Sequence, residues 1–203
     1  MSQTPAKRTV EFLFDFGSPA SYLAYKRLPD LAERTGAHVD YVPMLLGAVF
    51  KATGNASPAT IPAKGRWTGV DFRRWAGRYG TEFNFNPHFP INTLHLMRGA
   101  TGLIEDTRFM AYCDLVFDAM WREPRNLGDP AELAPVLRRA GLEADDFRAL
   151  VAREEVKERL KATTEAAVAR GVFGAPTFFV GEEMFFGQDR MDFVEEALAS
   201  TAA

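Results

Sequence analysis

Apolar residues recur with two different periods along the chain, and the change of period divides it. Residues 10 to 16, VEFLFDF, are apolar and β-prone apart from Glu11 and Asp15, which predicts a strand. From Pro19 to Glu33, the positions of Leu23, Leu28 and Leu31, with Tyr22 and Ala32, make one apolar helix face. Gly36 then offers the positive φ that commonly ends a helix. HVDYVPM, residues 38 to 44, reads as a second strand. The chain thus opens strand, helix, strand, long enough for a βαβ crossover, with the sense of strand pairing left open.

The middle has another rhythm. Residues 45 to 65 lack a clear period beyond a short helix at LLGAVFKAT, and are expected to form a loop or lid. Five helical patterns follow: Val70 to Tyr79, Thr93 to Gly99, Thr107 to Trp121, Ala131 to Ala140 and Asp145 to Arg170. Gly80, Pro87 with Pro90, Gly102, Pro124 with Gly128, and Gly141 punctuate them. Asp129-Pro130 reads as a cap followed by proline at the first helical position, whereas Asp106 and Thr107 compete to cap the helix before it. Strand signals return in APTFFVG (175 to 181) and EEMFFGQ (182 to 188), a hairpin about Gly181-Glu182, before a last helix from Asp189 to Ala199.

This order predicts an α/β fold: a βαβ half over 9–44, a connecting loop and all-helical insertion over 45–170, and a ββα half over 171–199. A cleft is expected where core and insertion meet. Residues 1 to 8 are polar and expected to fray. Composition adds exclusions. Lys plus Arg number 24 against 27 Asp plus Glu, a formal charge of -3 that argues against a nucleic-acid surface. RTVEFLFDF is too short and acidic for a secretory signal, and no apolar run approaches the roughly 18 residues of a membrane span, so a soluble, cytoplasmic protein without membrane contact is expected. The single cysteine, Cys113, excludes an internal disulfide and a CxxC pair; within FMAYCDLVFDAMW it reads as a buried structural thiol. Seventeen Phe residues are enough to pack a core, line a pocket, or both.

Several residues bear on chemistry, each with a plain structural alternative. Ser18 followed by Pro19 fits a helix cap; the same position can donate a hydrogen bond to a thiolate or oxyanion held at the positive end of the helix. Pro176 fits either a strand start or a cis proline whose neighbour Ala175 offers backbone to an extended, peptide-like ligand. Gln188, Asp189 and Arg190 repeat the cap pattern, and Asp189 with Gln188 can hold the ammonium and carboxylate of a ligand. His88 and Asn92 sit in a loop rich in Pro and Asn, NFNPHFPINT. Over residues 65 to 80, Arg66, Arg73, Arg74 and Arg78 with Trp67 and Trp75 make a basic, aromatic stretch that is a solvated face, a helix turning Arg73 or Arg74 toward a carboxylate, or a nucleic-acid patch that the net charge opposes. Metal-ligand spacing, a nucleophile elbow and glycine-rich phosphate loops are all missing.

Together, DFGSPASYLA, YGTEFNFNPHFPINTLHLMR and GVFGAPTFFVGEEMFFGQDRMDF resemble the 2-hydroxychromene-2-carboxylate isomerases. These are relatives of kappa-class glutathione transferases in the thioredoxin-like superfamily, and the likeness runs from about residue 9 to 199. It implies a thioredoxin-like domain with a helical insertion. Where redox members carry CxxC, this chain has Ser18-Pro19-Ala20-Ser21, so disulfide exchange is not expected and the sulfur is supplied by glutathione as cofactor. On the same resemblance Ser18 matches the serine that bonds the glutathione sulfur, and Ala175-Pro176 the cis-proline site that holds its cysteinyl part. Asp189 and Arg190 match the pair near the γ-glutamyl end, with Gln188 where Ser or Asn is usual; Asn92, His88, Trp67 and Lys64 are candidates on the side of a small aromatic conjugated-enone substrate. The implied reaction interconverts 2-hydroxychromene-2-carboxylate and trans-o-hydroxybenzylidenepyruvate, in a homodimer. A kappa-like transferase and a non-catalytic glutathione-binding protein are the alternatives.

Overall fold

The computed structural model describes residues 8–200, so the expectation for the N-terminal tail falls outside it except at Arg8. Arg8 is tied down: its guanidinium donates to the Thr35 carbonyl at 2.9 Å and its own carbonyl accepts from the His38 N–H at 2.7 Å. Four strands, β1 (Thr9–Phe14), β2 (His38–Pro43), β3 (Thr177–Val180) and β4 (Glu183–Phe186), form one sheet in the order β2-β1-β3-β4. β1 and β2 run parallel, joined by α1 (Pro19–Thr35); β3 is antiparallel to β1 and turns back into β4 at Gly181, whose φ is 60°. Between the two strand pairs come α2 (Leu46–Thr53), α3 (Pro62–Tyr79), α4 (Leu94–Leu103), α5 (Phe109–Trp121), α6 (Pro130–Arg139), α7 (Ala144–Ala152) and α8 (Glu154–Ala169). A short 3-10 turn, Gln188–Arg190, leads into α9 (Met191–Ser200). This is the thioredoxin-like α/β architecture with helices inserted between βαβ and ββα units.

Local chemistry explains where the elements begin and end. Ser18 is extended and its side chain accepts from the Ser21 N–H, Pro19 fills the first helical position, and Gly36 closes α1 at φ 65°. α3 begins at Pro62, eight residues before the expected Val70, because proline again starts the helix while Gly65 and Gly69 dilute the apolar period. Gly65 has its own reason: a Cβ there would lie 3.3 Å from the Ala59 Cα, so the preceding 3-10 turn would have to give by a few tenths of an ångström. α4 runs through Gly102, the expected break, to Leu103; that glycine admits Leu150 of α7, whose Cδ1 would lie 2.8 Å from an added Cβ. The pattern from 145 to 170 is two helices, not one: Arg153 is extended between α7 and α8, and Glu154 with Glu155 opens the new first turn.

The alternating strand pattern sorts the core onto two faces. Val10, Phe12 and Phe14 of β1 join Leu23, Leu28, Phe117 and Leu198 on one side, whereas Leu13 and Phe179 meet Met44, Val49 and Ala167 on the other. Trp121, fully buried at the end of α5, ties this core to the insertion. Its indole donates to the Phe16 carbonyl at 2.7 Å, just beyond β1, and its ring lies 6.0 and 5.9 Å from those of Phe85 and Phe89. A Trp121→Phe variant leaves the buried Phe16 carbonyl unpaired and is expected to lose about 1–3 kcal/mol of stability. Urea denaturation measures this; an unchanged midpoint would show that the bond holds nothing.

Candidate active site

Past β1 the chain makes a short passage, Asp15-Phe16-Gly17, before the start of α1. Asp15 is buried, and its carboxylate is fully engaged. Oδ1 accepts from the Gly17 N–H and Oδ2 from the Leu46 N–H, both at 2.8 Å, and the Thr93 hydroxyl adds a third bond. Leu45, the residue capping α2, has no side chain that can cap, so Asp15 caps that helix from the passage after β1. Thr93 stands at the start of α4 and packs so near that a Cβ on Gly17 would approach its Cγ2 to 3.2 Å. Burial pushes the Asp15 carboxyl above its ordinary value, with the two amides and the Thr93 hydroxyl pulling it back.

Ser18 stands next. Its Oγ accepts from the Ser21 N–H at 3.1 Å and donates to the Ala175 carbonyl at 2.9 Å. The Ala175–Pro176 peptide is cis, and the Pro176 carbonyl accepts from the Gly187 N–H at 3.0 Å. The start of α1 and the entry to β3 therefore face each other. Among the described residues, the N–H groups of Ala20 and Ala175 take no partner, the first because a helix start leaves its amides unpaired.

A cleft of about 1420 Å³ opens over these groups. Of the residues singled out from the sequence, Ser18, Ala175, Gln188, Asp189 and Asn92 line it. Gln188 is buried, and its carbonyl accepts from the Tyr79 hydroxyl at 2.6 Å, pinning α3 to the turn before α9. Burial chiefly pushes the Tyr79 phenol up to about 12. Asp189 pairs with Arg190 at 2.6 Å and does not cap the turn; Gly187 does, at φ 100°, where a Cβ would strike the Asp189 carboxylate. Asn92 accepts from the Leu94 N–H at 3.0 Å, a capping contact at the start of α4.

Pro176, Arg190, His88, Trp67 and Lys64 are not among the lining residues. Pro176 is buried behind Ala175, and the other four are exposed. His88 lies in a turn where its N–H donates to the Asn86 side chain at 2.9 Å. Of the arginines of α3, Arg73 and Arg66 line the cleft, while Arg74 pairs with Asp71 at 3.8 Å and Arg78 lies over Trp75. Six phenylalanines, Phe50, Phe72, Phe85, Phe89, Phe173 and Phe186, also line it, among aliphatic and proline residues. Asn55 crosses the rim to donate to the Phe173 carbonyl at 2.8 Å. Asp15 and Asn55 escape a reading by motif. The one available signal for Asp15 is a charge set in an apolar run just before the Gly-Ser cap. Among the described residues no cluster of His, Cys, Asp and Glu can hold a metal, and no helix is long and apolar enough to cross a membrane.

Comparison with known proteins places this geometry in a family. The model of the DSBA-like thioredoxin domain matches residues 9–199. A 2-hydroxychromene-2-carboxylate isomerase of Pseudomonas putida is 34% identical over 193 residues, covering 93% of each chain. Human glutathione S-transferase kappa 1 is 28% identical, covering 96% of this chain and 92% of its own. A solved structure of 2-hydroxychromene-2-carboxylate isomerase superposes with a TM-score of 0.85 at 34% identity, covering 95% of both chains. A probable DsbA oxidoreductase of Streptomyces coelicolor, with a TM-score of 0.72 at 18% identity over 96% of this chain and 89% of its own, shares the fold.

Asp15 generates a test with a definite sign. Its folded pKa is raised, so the folded state holds the proton more tightly than the unfolded chain. Its contribution to stability is then fully present below the unfolded value, about 3.9, and is lost as pH rises from there through the folded value. The stability of wild type relative to Asp15→Asn, from urea denaturation at a series of pH values, should therefore decline above about pH 4. A difference that grows with pH would mean that the three donors outweigh burial.

Proposed function

The chain belongs to the 2-hydroxychromene-2-carboxylate isomerases of the DSBA-like thioredoxin family, and we propose that it is a glutathione-dependent isomerase acting on 2-hydroxychromene-2-carboxylate or a close aromatic analogue. The single observation that carries the reading is the Ser18 hydroxyl at the start of α1, 2.9 Å from the Ala175 carbonyl, in a chain with no cysteine at that helix start. Such a site has a donor and a positive helix end for a sulfur anion but no sulfur of its own. The residues present fit glutathione. The unpartnered Ala175 N–H suits the backbone of a peptide, and Asp189 and Gln188 on the cleft wall suit an ammonium and a carboxylate. When bound, glutathione supplies a thiolate whose reversible addition to the conjugated carbon lets the substrate's cis double bond rotate.

The chain's own residues would do the rest. Ser18 has one proton to give, so its hydroxyl would turn from the Ala175 carbonyl toward the sulfur while still accepting from Ser21. The unpaired Ala20 N–H lies in the same first turn and adds to the stabilisation. Phe50, Phe85 and Phe89 exclude water from a flat ring, and Asn92 has its amide N–H groups to offer a developing oxyanion, since its carbonyl is held by Leu94. Lys64, Trp67 and His88 stand outside the lining and have no assigned step. The proposal includes a homodimer, as the resemblance implies, and a place in the cytoplasm, as expected from the sequence.

Ultraviolet absorbance of purified protein stripped of thiol tests the reading. Conversion of 2-hydroxychromene-2-carboxylate to the trans enone should require added glutathione and consume none. Ser18→Ala should fold, losing about 0.5–2 kcal/mol as a cap, and should lower kcat/KM by roughly 10²-fold or more, as removal of one donor to a reacting anion does. Thiol consumption in step with substrate loss would make the protein a transferase, and full activity in Ser18→Ala would remove the serine from the mechanism.

A further inference from the structure

Four ionisable side chains line the cleft: Asp15, Asp189, Arg66 and Arg73. The two carboxylates are engaged, Asp15 by two amides and Thr93, and Asp189 by Arg190. The two guanidinium groups are not; among the described residues neither has an ion-pair or hydrogen-bond partner. The cleft wall thus carries two cations without an ionic partner, in a chain whose formal charge is -3. The lack of a partner also sets these two apart from their neighbours on α3, since Arg74 has Asp71 and Arg78 has the Trp75 ring.

Helix geometry brings the pair to one face. Seven residues are nearly two turns, so the two Cα atoms stand in line about 10 Å apart along the axis. That gap is within the combined reach of two arginine side chains, which can converge on one anion between them. The surroundings say which kind of anion. Phe72 follows the same wall, and Phe85 and Phe89 line the same cleft. A planar aromatic body can lie on those rings while its acid group meets the guanidinium forks, which match a carboxylate in two-point geometry.

We infer that Arg66 and Arg73 read the carboxylate of an aromatic substrate, so that the protein selects aromatic acids over their neutral counterparts. The inference rests on the proposed function for the identity of the natural substrate but not for the existence of the site. Glutathione also has carboxylates. The aromatic wall beside the arginines favours the substrate's, and the test separates the two sources.

Isothermal titration of wild type, Arg66→Ala/Arg73→Ala and the control Arg74→Ala would use trans-cinnamate, methyl cinnamate and glutathione in turn. Wild type should bind cinnamate at least ten-fold more tightly than its ester, with the preference shrinking as salt is added. The double variant should lose the preference, Arg74→Ala should keep it, and glutathione affinity should change less than two-fold in all three. Equal binding of acid and ester, no binding of either at millimolar concentration, or a preference that survives in the double variant would overturn the inference. So would a parallel loss of glutathione binding, which would hand the arginines to the cofactor. Chromene turnover by wild type is scored separately: a protein that binds the acid through these arginines but does not isomerise keeps the site and discards the reaction.

Discussion

A buried carboxylate needs donors, and the donors that Asp15 finds come from three separate parts of the chain. Gly17 belongs to the loop before α1, Leu46 to the first turn of α2, and Thr93 to the start of α4. Taking an unpaired charge out of water is expensive enough that such a group fixes its surroundings. Satisfying one side chain therefore sets the relative positions of three walls of the cleft. Ser18 inherits that placement, since its own N–H donates to the Asp15 carbonyl at 3.0 Å. The meeting of Ser18 with Ala175, 157 residues away, is built on this support.

Two parts of the fold divide the work around that point. The sheet and its flanking helices present short, fixed polar groups: a hydroxyl, two free amides, and the turn at 188–190. The insertion brings surface area, mainly aromatic, together with the arginines of α3. Trp121 and Tyr79 couple the parts, one through the Phe16 carbonyl and the other through the Gln188 carbonyl. Both bonds run from an aromatic side chain of the inserted helices to a main-chain oxygen beside the sheet, so they constrain position without depending on which residue supplies the carbonyl. The insertion can change its aromatic lining while the polar groups stay in register.

Where local chemistry decides an element, the sequence is enough to read it. Ser18-Pro19, Gly36, Asp129-Pro130 and Gly181 mark boundaries that the structure keeps, because caps, N1 prolines and left-handed glycines act within a few residues. Glycines of α3 and α4 mislead for the opposite reason. Gly99 and Gly102 serve close approach to side chains distant in sequence, and Gly65 to the turn just before its own helix, and no motif announces either. The break at Arg153 has no proline or glycine to mark it. In the site, Ser18, Ala175 and Asp189 were legible as a set through resemblance, and their arrival in one cleft is a tertiary result. Asp15 was visible only as a charge out of place, since its partners at Leu46 and Thr93 are joined to it by folding alone.

The lone cysteine also has a consequence. Cys113 is completely buried in α5, and burial pushes its thiol well up, so it is neither reachable nor ionised. Conjugated enones are alkylating agents, and an enzyme that handles them risks self-inactivation at any accessible sulfur of its own. This chain keeps its one thiol within the core and a hydroxyl, Ser18, at the start of α1. Reagents specific for accessible thiols would find none on the chain itself.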